Sequence, residues 1–192
     1  MGSGFFYPYG EHLFNENQIF HMAKTVKLHS PKHIFEIGFG SGRSAATIVQ
    51  SLLYHKHPIK TFVSCDVRIG VGQAMGYALF FKAMLKRTFT IDIIEASSNF
   101  LFQRSYLQRT FPYGIDWATI DGDDSYDEML LDLYTVFTHL NNGGVIYVIN
   151  AYRNEDTICA CNEFYQQKRN NLMKNESVID ENTTVFWFIK HI

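Results

Sequence analysis

Short apolar runs alternate with helical stripes from residue 33 to residue 170, and this alternation limits the fold more than any other feature of the chain. Strands are expected at 33–37, 60–67, 90–95, 116–121 and 144–150. Helices are expected at 18–28, 44–54, 73–86, 99–108, 126–140 and 155–170, where apolar residues recur every three or four positions. A strand that reaches its neighbour through a helix pairs with it in parallel, by a right-handed crossover. The last two runs, 176–179 and 184–190, are separated by only four residues, Asp180-Glu181-Asn182 among them. That link is too short for a crossover, so these strands must pair antiparallel. The expectation is an α/β domain of about seven strands, five of them parallel, closed by a C-terminal hairpin.

The chain has 192 residues, enough for one domain (1–192) with a full core. Residues 1–30 read as an N-terminal arm followed by a helix, with Phe5, Phe6, Tyr7 and Tyr9 as a lid over a site or as packing in an arm or homodimer. Ser30-Pro31 ends that helix, because the residue before proline avoids the helical region. A formal net charge of -2 argues against nucleic acid as the partner, since phosphate neutralisation needs a basic excess. The stretch 82–87 is modestly basic and reads as the solvated face of a helix. No run of about 18 apolar residues is present, so no membrane span is expected. Three cysteines without a pairing framework, and a start without a basic leader, point to a reducing, cytoplasmic location.

The first crossover carries Glu36-Ile37-Gly38-Phe39-Gly40-Ser41-Gly42 between its strand and its helix. Glycines let the chain turn tightly and bring backbone N–H groups close to a ligand beyond the strand tips. The dinucleotide fingerprint is G-x-G-x-x-G; here the third glycine comes one residue early, and Glu36 stands two positions before the first. A pyrophosphate is disfavoured beside that carboxylate, whereas an ammonium or sulfonium is attracted to it. Asp66, at the end of the second strand, is placed to accept hydrogen bonds from both hydroxyls of a ribose.

These residues resemble class I S-adenosylmethionine-dependent methyltransferases. The E-x-G-x-G-x-G loop is similar to their first motif, and Asp66 to their acidic second position. The stretch Trp117-Ala118-Thr119-Ile120-Asp121-Gly122-Asp123-Asp124-Ser125-Tyr126-Asp127-Glu128, then Asp132-Leu133, then Leu140-Asn141-Asn142-Gly143-Gly144-Val145-Ile146, resembles the DGDHSYE-like branch that holds small-molecule O-methyltransferases. The resemblance implies a three-layer Rossmann-like fold with sheet order 3-2-1-4-5-7-6. It implies S-adenosylmethionine as cofactor and a small-molecule methyl acceptor. The implied cofactor residues are Glu36, Gly38, Gly40, Gly42, Asp66, Ser97, Asp121 and Tyr126.

Asp121 and Asp124 are the candidate catalytic residues, accepting or orienting the acceptor's proton. Asp124 stands where the family carries histidine, and an aspartate with its ordinary pKa of about 4 is a weak base at neutral pH. Ala96-Ser97-Ser98 stands where relatives carry Gly-Asp-Ser, so Ser97 is the expected partner of the adenine amine. Metal-dependent relatives carry acids after the fifth strand, where this chain has Asn150-Ala151. One carboxylate and one amide are a thin donor set for a divalent cation, so transfer without a metal is the expectation and a metal the alternative. A non-catalytic protein that binds S-adenosylmethionine or S-adenosylhomocysteine is the second reading of the same motif. Locally, Ser125-x-x-Glu128 reads as a capping box, and Gly143-Gly144 as the end of the helix before it.

Overall fold

The computed structural model describes residues 16–67, 89–103, 105–122, 125–149, 155–180 and 183–191. The aromatic N-terminus, the expected 73–86 helix with its basic stretch 82–87, and residues 181–182 of the closing turn lie outside them. The elements in chain order are α1 (Glu16–His29), β1 (His33–Ile37), α2 (Arg43–Tyr54), β2 (Thr61–Asp66), β3 (Thr90–Glu95), α3 (Ser98–Gln103), α4 (Tyr106–Thr110), β4 (Ile115–Ile120), α5 (Tyr126–His139), β5 (Leu140–Val148), α6 (Glu155–Lys168), β6 (Leu172–Asp180) and β7 (Thr183–Lys190).

The strands form one seven-stranded sheet in the order β3-β2-β1-β4-β5-β7-β6. The pairs from β3 to β5 are parallel, and β7 pairs antiparallel with both β5 and β6. Both the expected order and the terminal hairpin are present. Helices cover both faces, so β1 and β2 are buried along almost their whole length rather than at every second residue. Side chains still alternate between two cores. Ile34, Phe62, Trp117 and Tyr147 pack with α1 and α2, while Phe35, Val63, Ala118 and Ile146 pack with α3 to α6.

Four local expectations are corrected. The single helix expected at 99–108 is two, α3 and α4, separated at Ser105, whose φ of 50° is left-handed. Leu101 and Leu107 both enter the same core, yet six residues place them about 240° apart on a continuous helix; the left-handed residue resets the phase. Gly143-Gly144 does not end α5. The helix stops at His139, Leu140 turns extended (φ -75°, ψ 134°), and β5 begins there. Five residues of β5 then run against two of β4, from Ile115↔Leu140 to Trp117↔Val145. This irregularity takes up Gly143 at φ 78°. Ser125 occupies the N-cap position of α5 with extended backbone, but its side chain makes no capping bond. Finally, β6 begins at Leu172 instead of 176, because β7 offers it a partner along its full length.

Asp116 fastens the end of the sheet where the parallel strands start. One carboxylate oxygen accepts from the backbone N–H groups of Lys32 and His33, each at 3.0 Å. The other accepts from Asn141 Nδ2 at 2.8 Å. This one side chain therefore joins the start of β1, the start of β4 and the irregular stretch of β5. Replacing it with alanine (Asp116→Ala) is expected to lower unfolding free energy by about 2 kcal/mol, as read by urea denaturation.

Candidate functional site

The chain leaves β1 toward β2 on one side and returns through β3 to β4 on the other. The strand order therefore reverses at β1, and a crevice opens beyond the carboxyl ends of β1 and β4. A cavity of about 560 Å³ occupies it. That volume suits a ligand of nucleoside size.

The floor of the cavity is the turn that follows β1. Asp121 donates its N–H to the Ile37 carbonyl, and Gly38 donates to the Cys65 carbonyl, both at 2.8 Å. The turn is thereby stitched to the strands on each side. Gly38 has φ +87°, and a Cβ there would lie 1.9 Å from the Asp121 carbonyl oxygen, so only glycine fits. Phe39 next to it is 2% exposed and packs with the α1 and α2 core, which holds the loop down. Gly42 closes the turn by donating to the Phe39 carbonyl at 2.7 Å and stands at the N-cap of α2. Gly40 N–H donates to Asp66 Oδ2 at 2.7 Å, so the acid at the tip of β2 is joined to the loop.

Glu36 does something other than face the ligand space. It is fully buried beneath the loop and is absent from the cavity wall. Ser44 Oγ donates to one of its oxygens at 2.5 Å, and Ser64 Oγ to the other at 2.6 Å. It thus ties the tip of β1 to the first turn of α2 and to β2. Burial pushes its pKa up to about 7, against the opposing pull of the two serine hydroxyls and with help from the Asp121 and Asp66 charges.

The cavity wall contains Gly38, Asp66, Ser97 and Asp121 of the expected residues. Ser97 accepts from Phe100 N–H at 3.2 Å, which caps α3 and holds the hydroxyl at the rim. Tyr126 is not part of that wall; its hydroxyl donates to Glu163 on α6. Asp124, with Asp123, Asn150 and Ala151, lies outside the described residues. Two acids of the wall were not singled out from sequence as site residues: Glu128 and Asp132. Four residues apart on α5, they share one helix face, and that spacing was the available signal. Asp132 is 2% exposed and accepts from Ser98 Oγ at 2.6 Å, which connects α5 to the first turn of α3.

The described wall therefore carries four carboxylates, Asp66, Asp121, Glu128 and Asp132, and neither lysine nor arginine. Such a cavity attracts a cation and repels a phosphate. No group of three or more potential metal ligands is assembled among the described residues.

Two outcomes test this geometry. Gly38→Ala is expected to abolish ligand binding by the cavity, because the added carbon must displace main chain; titration calorimetry reads it. Glu36 binds its proton more tightly folded than unfolded, so its contribution to stability is complete below pH 4.5 and is lost as pH rises through about 7. Melting temperature is accordingly expected to decline across that window, and Glu36→Gln to flatten the decline.

Comparison with known proteins agrees with this geometry. Residues 35–149 match a family model described as a methyltransferase domain. No curated protein matches the chain. Among solved structures, it is similar to the O-methyltransferase TomG from Streptomyces achromogenes, involved in tomaymycin synthesis and solved with SAM (TM-score 0.68, 12% identity, 93% of this chain and 81% of that one). It is also similar to an O-methyltransferase from Bacillus cereus in complex with SAH (TM-score 0.68, 14% identity, 94% and 84%). A third similar structure is an SAH-bound methyltransferase from Podospora anserina (TM-score 0.62, 16% identity, 91% and 78%). At these identities the structures establish a shared fold, whereas the family model spans more than half of the sequence, from β1 to the end of β5, and by that match the chain belongs to the methyltransferase-domain family.

Proposed function

We propose that this chain transfers a methyl group from S-adenosylmethionine to an oxygen of a small acceptor. The observation that carries the reading is the sign of the cavity: four carboxylates and no basic side chain in its described wall, around a glycine turn that admits no side chain. A sulfonium nucleoside with an ammonium group suits that field, and a dinucleotide pyrophosphate does not. The O-methyltransferases with SAM or SAH bound, similar to this chain in fold, support the same cofactor and reaction.

Bound there, S-adenosylmethionine supplies a methyl group already activated by its own sulfonium charge. The residues of the chain supply position and exclusion of water. Asp66 accepts the ribose hydroxyls in this reading, and Ser97 meets the adenine amine. The Gly38 to Gly42 backbone approaches the methionine end. Glu36 acts indirectly, by fixing the loop to α2 and β2 through Ser44 and Ser64. Asp121 or Asp124 accepts or orients the proton of the acceptor hydroxyl in this reading. The neutral Asn150 after β5 favours transfer without a divalent cation. The three cysteines are unpaired, which matches a reducing compartment such as the cytoplasm.

Calorimetry with S-adenosylmethionine and S-adenosylhomocysteine, followed by a methyl-transfer screen over small hydroxylated acceptors, tests the proposal. Both nucleosides are expected to bind, and Asp66→Ala to weaken them by about tenfold or more through loss of charge-assisted hydrogen bonds. Binding without turnover on any acceptor would assign the chain to non-catalytic cofactor binding. Absence of binding at millimolar nucleoside would overturn the proposal as a whole.

A further inference from the structure

The end of the sheet opposite the cavity gathers cations that are scattered in the sequence. Lys24 and Lys27 lie on α1, Lys32 just before β1, and Lys56 and Lys60 between α2 and β2; all five are exposed. Contacts tie these segments together. Ser30 Oγ lies 3.2 Å from His57 Nε2, and Lys60 N–H donates to the Lys32 carbonyl at 2.9 Å. Burial lowers the His55 pKa, and the Lys27 charge beside it lowers it further. At His33 burial is again the main depressing effect, Asp116 opposes it, and Lys60 and Lys32 add to it.

The five lysines outnumber the acid placed beside them, Asp116. None of the five lysines stands in an ion pair among the described residues. Asp116 is the acid that belongs to this end, and its oxygens are committed to Lys32 N–H, His33 N–H and Asn141. Large apolar side chains stand out of the same surface. Leu28 is 78% exposed on the last turns of α1, beside Lys24 and Lys27. Tyr54, at the end of α2, is 82% exposed, with its ring 4.9 Å from that of His55.

We infer that this surface docks the protein on an anionic lipid bilayer, with Leu28 and Tyr54 entering the headgroup region and the five lysines above it. Exposed apolar side chains beside lysines can enter the headgroup boundary while the charges stay at the anionic surface. Each lysine near an anionic leaflet adds attraction that salt screens. Two features favour lipid over nucleic acid. All five cations are lysine, a point charge, and none is the arginine fork that grips phosphates in pairs. An exposed leucine offers a base nothing to stack on, whereas an acyl boundary accepts it. Docked by this end, the protein keeps the carboxyl ends of its parallel strands, and the cavity mouth, away from the bilayer. The net charge of -2 does not oppose such docking, because the positive charge is concentrated at one end.

Sedimentation of the full chain with phosphatidylcholine vesicles, with and without phosphatidylserine, tests this. Binding is expected only to the phosphatidylserine vesicles, and it is expected to fall in high salt. Lys24→Glu with Lys27→Glu and Lys56→Glu is expected to weaken binding by at least about tenfold. Leu28→Ser with Tyr54→Ser is expected to weaken it in low and high salt alike. All five changes are at exposed positions, and an unchanged melting temperature verifies folding. No sedimentation with phosphatidylserine vesicles, or equal sedimentation with neutral ones, would overturn the inference. So would lysine-dependent binding of an RNA duplex in the absence of vesicle binding.

Discussion

One close approach sets the geometry of the site: the main chain of Gly38 against the main chain of Asp121. A Cβ at residue 38 would sit 1.9 Å from the Asp121 carbonyl oxygen. Two strands that are neighbours in the sheet therefore run on as neighbours past their ends. Everything the cavity uses follows from that contact. It brings Asp121 to the crevice and leaves Gly40 where its N–H reaches Asp66. Beneath it, Glu36 serves as the peg that Ser44 and Ser64 hold. The loop is thus braced from below by a buried carboxyl and from the side by a half-buried one.

The sheet was legible in the sequence because both of its faces are covered. Buried parallel strands are continuous apolar runs, and the helices between them show in their period. His33 to Ile37 is bounded in the structure as its residues suggest. The closing hairpin followed from a link too short for a crossover. Legibility ended where tertiary packing overrode local signals. Ser105 takes a left-handed conformation because Leu101 and Leu107 must reach one core, which no windowed pattern reveals. Gly143 looked like the end of a helix, yet its positive φ serves an irregular strand whose register Ile115 and Trp117 decide.

In the site, residue type was easier to read than direction. The glycines, Asp66, Ser97 and Asp121 were identified by motif, and their side chains or backbone do meet the cavity or its floor. Glu36 was identified too, but its orientation depends on Ser44 and Ser64, eight and twenty-eight residues away. Tyr126 turns to Glu163 on a helix whose packing the sequence does not disclose. The lysine end was invisible for a related reason. Its members come from three separate segments, each unremarkable in charge, and only the shared starting edge of the strands assembles them.

Cys65, the residue before the tip of the second strand, lies beside the cavity with its side chain in the core, 1% exposed. Burial raises its pKa, and the Asp132, Glu36 and Asp66 charges raise it further. The thiolate is the nucleophilic form of cysteine, and here it is suppressed. Under the proposed chemistry this matters for the survival of the catalyst. An enzyme that keeps an alkylating reagent beside its own sulfur must make that sulfur inert. Burial, helped by the neighbouring carboxylates, is what shields the protein from self-alkylation.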